Sequence, residues 1–239
     1  MSMALIGEVY SAERGVTVDS CHNYGEIVAE LCPELASTKP GKPLHAKRLP
    51  FLRNVITVGF RQKGCLEWNE AMERASNVPV EEVYRMAAAV NKDDVCNMQY
   101  TSGTTGKPKG AMLTHGNYFT AIHNECDVLT LKQDDVYLGI YPMAHVGLSW
   151  SIAALRAAAY YILMEQFNIE EYLELCQKEK VTVLTGMPPV IHSLTTMDKR
   201  EELKTVREIV SGGGPLHKKI WKDFHETYAI PIINAYGLS

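Results

Sequence analysis

The sequence predicts an α/β fold: a parallel sheet with helices covering both faces. Three observations predict it. From about Val95 onward, short runs rich in β-branched and aromatic residues alternate with segments whose apolar residues recur at helical spacing. Strands separated by helices pair in parallel through right-handed crossovers. The 239 residues are 46% hydrophobic and 22% charged, an ordinary balance for a globular chain with a real core.

Taken in order, residues 1 to about 20 show no readable element, and the segment 1–21 is set aside. Cys32 to Pro50 carries four prolines among Ser, Thr and Gly and reads as loop. Asn54–Val58 is a short buried strand. Leu66–Ala75 is a helix with Leu66, Trp68, Ala71, Met72 and Ala75 on one side, and Val80–Ala89 is a second helix. Val95–Tyr100 is a buried apolar strand, followed by a loop and an amphipathic helix from about Gly116, or Asn117, to Leu129. Further strands are expected at Asp135–Tyr141, Tyr160–Met164, Val181–Thr185, Arg207–Val210 and Pro231–Ala235. Helices are expected at Leu148–Ala158, Ile169–Lys178, Pro189–Met197 and Leu216–Tyr228.

Composition limits the function. A net charge of -4 and a pI near 6.1 give no reason to expect nucleic acid or an anionic membrane as partner. The six cysteines (Cys21, Cys32, Cys65, Cys96, Cys126, Cys176) lack zinc-knuckle or redox-pair spacing. They read as reduced, mostly buried thiols of a cytoplasmic protein. No signal peptide is legible, and the longest apolar stretch, Ile152–Met164, contains Arg156 and is too short for a membrane span. Oligomeric state is not set by any of these features.

The densest chemistry lies in Tyr100–Gly110, which reads Tyr-Thr-Ser-Gly-Thr-Thr-Gly-Lys-Pro-Lys-Gly. Glycines let backbone N–H groups face an anion, hydroxyls donate to phosphate oxygens, and lysines add mobile positive charge. Two familiar phosphate loops are excluded. Gly106-Lys107 is followed by Pro108, not by the metal-binding hydroxyl of the Walker pattern, and Gly-x-Gly-x-x-Gly does not fit. The plain alternative is a flexible Ser/Thr/Gly linker.

Four later segments each follow a predicted strand, where open α/β sheets hold their ligands. They are Tyr141-Pro142-Met143-Ala144-His145-Val146-Gly147, Gly186-Met187-Pro188-Pro189-Val190, Ser211-Gly212-Gly213-Gly214-Pro215-Leu216 and Asn234-Ala235-Tyr236-Gly237-Leu238-Ser239. Read from residues alone, His145 could be a core histidine, the Pro188-Pro189 pair a helix start, and the three glycines a generic turn. The other histidines lack metal-ligand spacing, and no metal site is assigned.

The loop resembles, residue for residue, the phosphate-binding signature of the adenylate-forming enzymes: acyl-CoA synthetases, aryl-CoA ligases and peptide-synthetase adenylation domains. Ala111–Asn117 is similar to its usual continuation, and the four later segments occur in the family's order. The resemblance covers about residues 22–239 and implies a piece of the large AMP-binding domain, truncated at both ends and without the C-terminal lid domain. It implies ATP, Mg²⁺ and coenzyme A as cofactors and a small carboxylic acid as substrate. Thr101, Ser102, Gly103, Thr104, Thr105, Gly106 and Lys109 would hold ATP phosphates, and Ser239 would touch the α-phosphate. Gly213, Gly214, Pro215, Asn234, Ala235 and Tyr236 would form the adenine slot. Ala144, His145, Val146, Gly186 and Met187 would line the acyl pocket, with His145 and Lys109 as the catalytic pair. Where relatives carry an aromatic residue or histidine before this histidine, Ala144 widens the corner. The implied reaction is ATP-dependent activation of a fatty or other aliphatic acid to acyl-AMP and its transfer to coenzyme A. For this chain alone, inactivity is expected, and a non-catalytic ATP- or acyl-adenylate-binding remnant is the alternative.

Overall fold

A computed structural model describes residues 3–7, 24–101, 106–143, 145–164 and 166–237. The chain forms two compact units, residues 1–89 and 90–239.

In the first unit, β1 (Met3–Gly7), β2 (Asn54–Val58) and β3 (Leu66–Glu67) make a three-stranded parallel sheet. It is accompanied by α1 (Tyr24–Leu31), α2 (Trp68–Glu73) and α3 (Val80–Ala88). Cys32, Leu35, Leu44, Ala46, Val55 and Cys65 form its core. Two sequence expectations change here. The segment without a readable element holds β1, a strand too short for its pattern to stand out. The helix expected from Leu66 begins as a strand, because Leu66 pairs with Ile56 before the chain turns helical at Trp68. The expected loop after Cys32 also contains a 3-10 turn, Pro33–Ser37, which buries Leu35.

The second unit opens with an antiparallel hairpin of β4 (Val95–Thr101) and β5 (Lys109–Thr114). This corrects the expectation of a buried strand leading through a loop directly into a helix. Val95, Met98, Tyr100 and Met112 are exposed on the hairpin. The helix, α4 (His115–Leu129), follows β5 instead. Its start is set by a capping box: the Thr114 hydroxyl accepts from the Asn117 N–H at 3.2 Å, and the Asn117 side chain accepts from the Thr114 N–H at 2.9 Å.

Five strands then form a wholly parallel sheet in the order β10-β9-β8-β6-β7. They are β6 (Val136–Gly139), β7 (Tyr160–Leu163), β8 (Val183–Thr185), β9 (Glu208–Ser211) and β10 (Ile232–Asn234). The connecting helices are α5 (Gly147–Arg156), α6 (Ile169–Lys178), α7 (Pro188–Thr195) and α8 (Lys218–Tyr228). One face carries Tyr137, Val183 and Val210 against Trp150 and Ala154 of α5. The other carries Leu138, Leu184 and Ile209 against residues of α6, α7 and α8, among them Tyr172, Ile191 and Phe224. The sheet therefore has helices on both faces, as the alternation predicts. From β6 the chain steps outward to β7, then returns past β6 to β8. Reversing direction while keeping right-handed crossovers requires α5 and α6 on opposite faces. The reversal puts a topological switch point between β6 and β8, where open α/β sheets form a crevice at the strands' carboxyl ends.

Cys32, Cys65, Cys126 and Cys176 are buried free thiols and Cys96 is an exposed one, while Cys21 lies outside the described residues. Burial pushes the Cys176 thiol up to about 12, which suits an unreactive core position. No described helix is long and apolar enough to cross a membrane.

Candidate functional site

Both strands that flank the switch point end in predicted site segments. After β6 the chain runs through Tyr141 and Pro142 into a tight turn. The N–H groups of His145 and Gly147 both donate to the Pro142 carbonyl, at 3.0 and 3.2 Å. A Cβ on Gly147 would sit 2.3 Å from the Tyr141 carbonyl oxygen, so the turn closes only around glycine. His145 is exposed, which sets aside the core-histidine reading. Its Nδ1 accepts from the Val146 N–H at 2.5 Å. That bond leaves Nε2 to carry the proton of a neutral ring. Val146 is half-buried, and Ala144 lies outside the described residues.

After β8, Gly186 donates to the Val210 carbonyl at 2.8 Å, keeping the ladder one residue past the strand. A side chain there would press on Ile209 and Ile191. Met187 is half-buried and precedes α7, whose first residue is Pro188 rather than the expected Pro189. The segment starts a helix, as one of its two readings expects.

The three-glycine turn follows β9. Gly212 is buried, while Gly213, Gly214 and Pro215 are exposed. Gly213 has φ +78, a left-handed conformation that favours glycine. Gly214 lies beside the start of α7, its Cβ position 3.8 Å from Pro188 Cγ. After β10, the Ala235 N–H donates to the Ser211 carbonyl at 2.7 Å, so the two segments run side by side. Asn234 is exposed and Ala235 half-buried. Tyr236 is 91% exposed, so its aromatic face is open. Leu238 and Ser239 lie outside the described residues.

The fold therefore brings the His145, Gly186–Met187, Gly213–Pro215 and Asn234–Tyr236 segments to one edge of one sheet. It places the phosphate-loop residues differently. Thr101 ends β4 directly opposite Lys109, the first residue of β5, in a separate two-stranded sheet. Gly106 and Lys109 are exposed, and a Cβ at Gly106 would meet open space. Ser102, Gly103, Thr104 and Thr105 lie outside the described residues. Among the described residues, no group of three His, Cys, Asp or Glu side chains could hold a metal ion.

Two groups near this edge were not assigned roles from sequence. Glu125 of α4 accepts from the Ser149 hydroxyl at 3.0 Å, and Ser149 also donates to the Val146 carbonyl at 3.1 Å. Burial pushes the Glu125 carboxyl up to about 7 despite the Ser149 bond. The Tyr141 side chain is buried against the glycine turn. Neither had a legible signal, because burial of a polar group is a property of distant neighbours.

Comparisons with known proteins bear on the family and the fold. The family described as AMP-binding enzyme matches residues 28–239. A Bacillus subtilis (strain 168) protein, YngI, which carries the name acyl-CoA synthetase, is 34% identical over 90% of this chain and 40% of its own length. The 4-coumarate–CoA ligase of Pinus taeda is 36% identical over 64% of this chain and 30% of its own. The ATP-bound crystal structure of MatB from Rhodopseudomonas palustris superposes with a TM-score of 0.60 at 25% identity, over 77% of this chain and 40% of that one. The chain spans less than half the length of each of these proteins. A sheet with its switch point between β6 and β8, the ordered segments around it and a family match over most of the chain lead to one conclusion: the chain belongs to the AMP-binding, adenylate-forming enzyme family.

Proposed function

We propose that the chain forms the central part of an acid–CoA ligase that activates a fatty or other aliphatic carboxylic acid with ATP and passes the acyl group to coenzyme A. The observation that carries this reading is the bare glycine turn Gly212–Gly214, whose segment is tied to that of the open Tyr236 through the Ala235 N–H and the Ser211 carbonyl. Backbone without side chains on one side and an aromatic face on the other suit a flat purine. The names of the relatives, an acyl-CoA synthetase and a 4-coumarate–CoA ligase, and the ATP bound in MatB support the same chemistry.

In the first step a carboxylate oxygen attacks the α-phosphorus of ATP, and the bond to the pyrophosphate leaving group breaks. In the second, a thiolate attacks the acyl carbonyl and AMP leaves. The protein's part is positioning and charge. Gly213, Gly214, Pro215, Asn234, Ala235 and Tyr236 hold the adenine. Thr101, the loop through Gly106, and Lys109 hold the phosphates, and Ser239 reaches the α-phosphate. His145, exposed and with its Nδ1 tied to the Val146 N–H, offers Nε2–H to the acid's carboxylate. Val146, Gly186 and Met187 border the acyl chain together with Ala144. Mg²⁺ belongs to the same chemistry; among the described residues no cluster of three His, Cys, Asp or Glu side chains marks a place for it, and no step is routed through it.

The test is a calorimetric titration of the chain with non-hydrolysable acyl-adenylate analogues of graded acyl length. Saturable binding with a length optimum is expected. No binding by a chain that circular dichroism shows to be folded sinks the reading. A pyrophosphate-exchange assay then separates activation from mere binding: analogue binding without exchange makes the chain a non-catalytic binder.

A further inference from the structure

Tyr141 ends the extended run from β6, four residues before His145. It is 8% exposed, and its hydroxyl is buried without a hydrogen-bond partner. Buried tyrosine hydroxyls usually find one. The other buried tyrosines of this sheet and its helices do: Tyr137 accepts from Thr185 Oγ1 at 3.3 Å, and Tyr172 donates to the Thr185 carbonyl at 2.9 Å; the half-buried Tyr228 donates to the Leu194 carbonyl at 2.8 Å.

The surroundings of Tyr141 point toward the site. A Cβ on Gly212 would lie 3.4 Å from its hydroxyl, and one on Gly213 4.0 Å from its ring. The Ala235 carbonyl lies on the same side of Gly212, 3.3 Å from that Cβ position. The phenol therefore occupies the space that two absent side chains leave open, between the His145 turn and the glycine turn. Burial raises its pKa, and the neighbouring Gly212 amide only partly opposes this. The group stays a neutral phenol, with a proton to donate and no protein acceptor.

We propose that Tyr141 is a specificity-determining residue: its O–H donates a hydrogen bond to an oxygen carried on the chain of the bound acid. The site then favours aliphatic acids bearing a hydroxyl, keto or second carboxylate oxygen over plain alkyl acids of equal length. An acid lacking that oxygen leaves the buried donor unpaired, the situation in which a polar site discriminates best. This inference rests on the reading of the edge as an acid-activating site.

The test uses acyl-adenylate analogues matched in chain length, one plain alkyl and others carrying a hydroxyl, keto or carboxylate group. Wild type should bind at least one oxygen-bearing analogue about tenfold more tightly than the alkyl one, as one hydrogen bond to a buried donor provides. Tyr141→Phe should erase that advantage while leaving alkyl binding within about twofold. Tyr137→Phe, at a buried tyrosine with a partner, should leave the preference intact even if it lowers stability. Equal weakening of all analogues by Tyr141→Phe, or no preference in wild type, overturns the proposal and leaves the acid-activating reading standing. If folded wild type binds no analogue at all, that reading falls and takes the proposal with it.

Discussion

The two ends of the five-stranded sheet treat polar groups in opposite ways. At the amino end, Asp135 is gripped from several sides. Arg207 donates to both its carboxylate oxygens, at 3.0 and 2.9 Å, and Thr182 adds a bond at 2.7 Å. The same guanidinium also reaches the Leu129 carbonyl at 3.0 Å and Glu208 at 2.8 Å. Burial alone would raise the Asp135 carboxyl, but Arg207, Thr182 and the Lys132 N–H outweigh it and hold the group below its usual range. At the carboxyl end, the hydroxyls of Tyr141 and Ser211 and one oxygen of Glu125 are buried without partners. At the amino end one guanidinium ties Asp135, Glu208 and a backbone carbonyl together, although one Glu208 oxygen has only this ion pair, while the carboxyl end keeps unmet polar groups beside bare backbone. The contrast separates residues that hold the sheet from residues that await something else.

Breaking the amino end should have the largest effect on stability. Arg207→Ala leaves Asp135 buried and uncompensated and should cost about 3 kcal/mol in urea denaturation. Analogue binding by the fraction that remains folded should not change. A loss near zero would mean that the network is only a surface pairing.

The next effect is a pH dependence of opposite sign at the two ends. Asp135 is held below its usual value, so its stabilisation is present above about pH 3.8 and is lost as pH falls further. Glu125 is held above the usual 4.5, at about 7, so its contribution is present at low pH and lost as pH rises through that window. Glu125→Gln should therefore stabilise the chain by about 2 kcal/mol near pH 8 and by almost nothing near pH 4. Thermal melts across that range decide it, and a pH-independent difference would refute the buried-carboxylate account.

Gly213→Ala should cost about 1 kcal/mol of stability, because it forces a side chain into a left-handed backbone. Analogue affinity should fall at least about tenfold, because the shifted turn no longer presents flat backbone. Loss of stability with unchanged affinity would mean that the turn only caps a strand. The smallest effect is expected at Ser211→Ala, within about 0.5 kcal/mol of neutral or slightly stabilising, since an unpartnered buried hydroxyl is removed. Thr182→Val at the opposite end should cost about 1 kcal/mol, for there the hydroxyl is used. Equal losses at the two positions would erase the contrast.

Much of the fold was legible in the chain. The helix Ile169–Lys178 and the strand Asn54–Val58 occur with the expected bounds, and the strands of the five-stranded sheet and their connecting helices lie within a few residues of theirs. These elements carry local patterns: apolar residues at helical spacing, or short β-branched runs ended by glycine or proline. β5 was missed because Ala111–Thr114 directly continues the glycine-lysine loop, and only its partner strand, Val95–Thr101, makes it a strand. Leu66–Glu67 misled for the same reason, since its pairing with Ile56 and Thr57 overrides a helical pattern. At the candidate site, the glycine and proline positions were readable and Tyr141 was not. The glycines announce themselves by lacking a side chain, whereas Tyr141 matters through what surrounds it.

By itself, the sequence determined the succession of strands and helices from β6 onward, the places where the backbone must turn without a side chain, and membership of the family. Each of these follows from local periodicity, local sterics or residue order. Only the tertiary structure decided the strand order β10-β9-β8-β6-β7, the hairpin at the phosphate loop, and the opposite treatment of Asp135 and Glu125. Pairing, burial and electrostatic environment depend on residues far apart in the chain, brought together only when the sheet closes over its two cores.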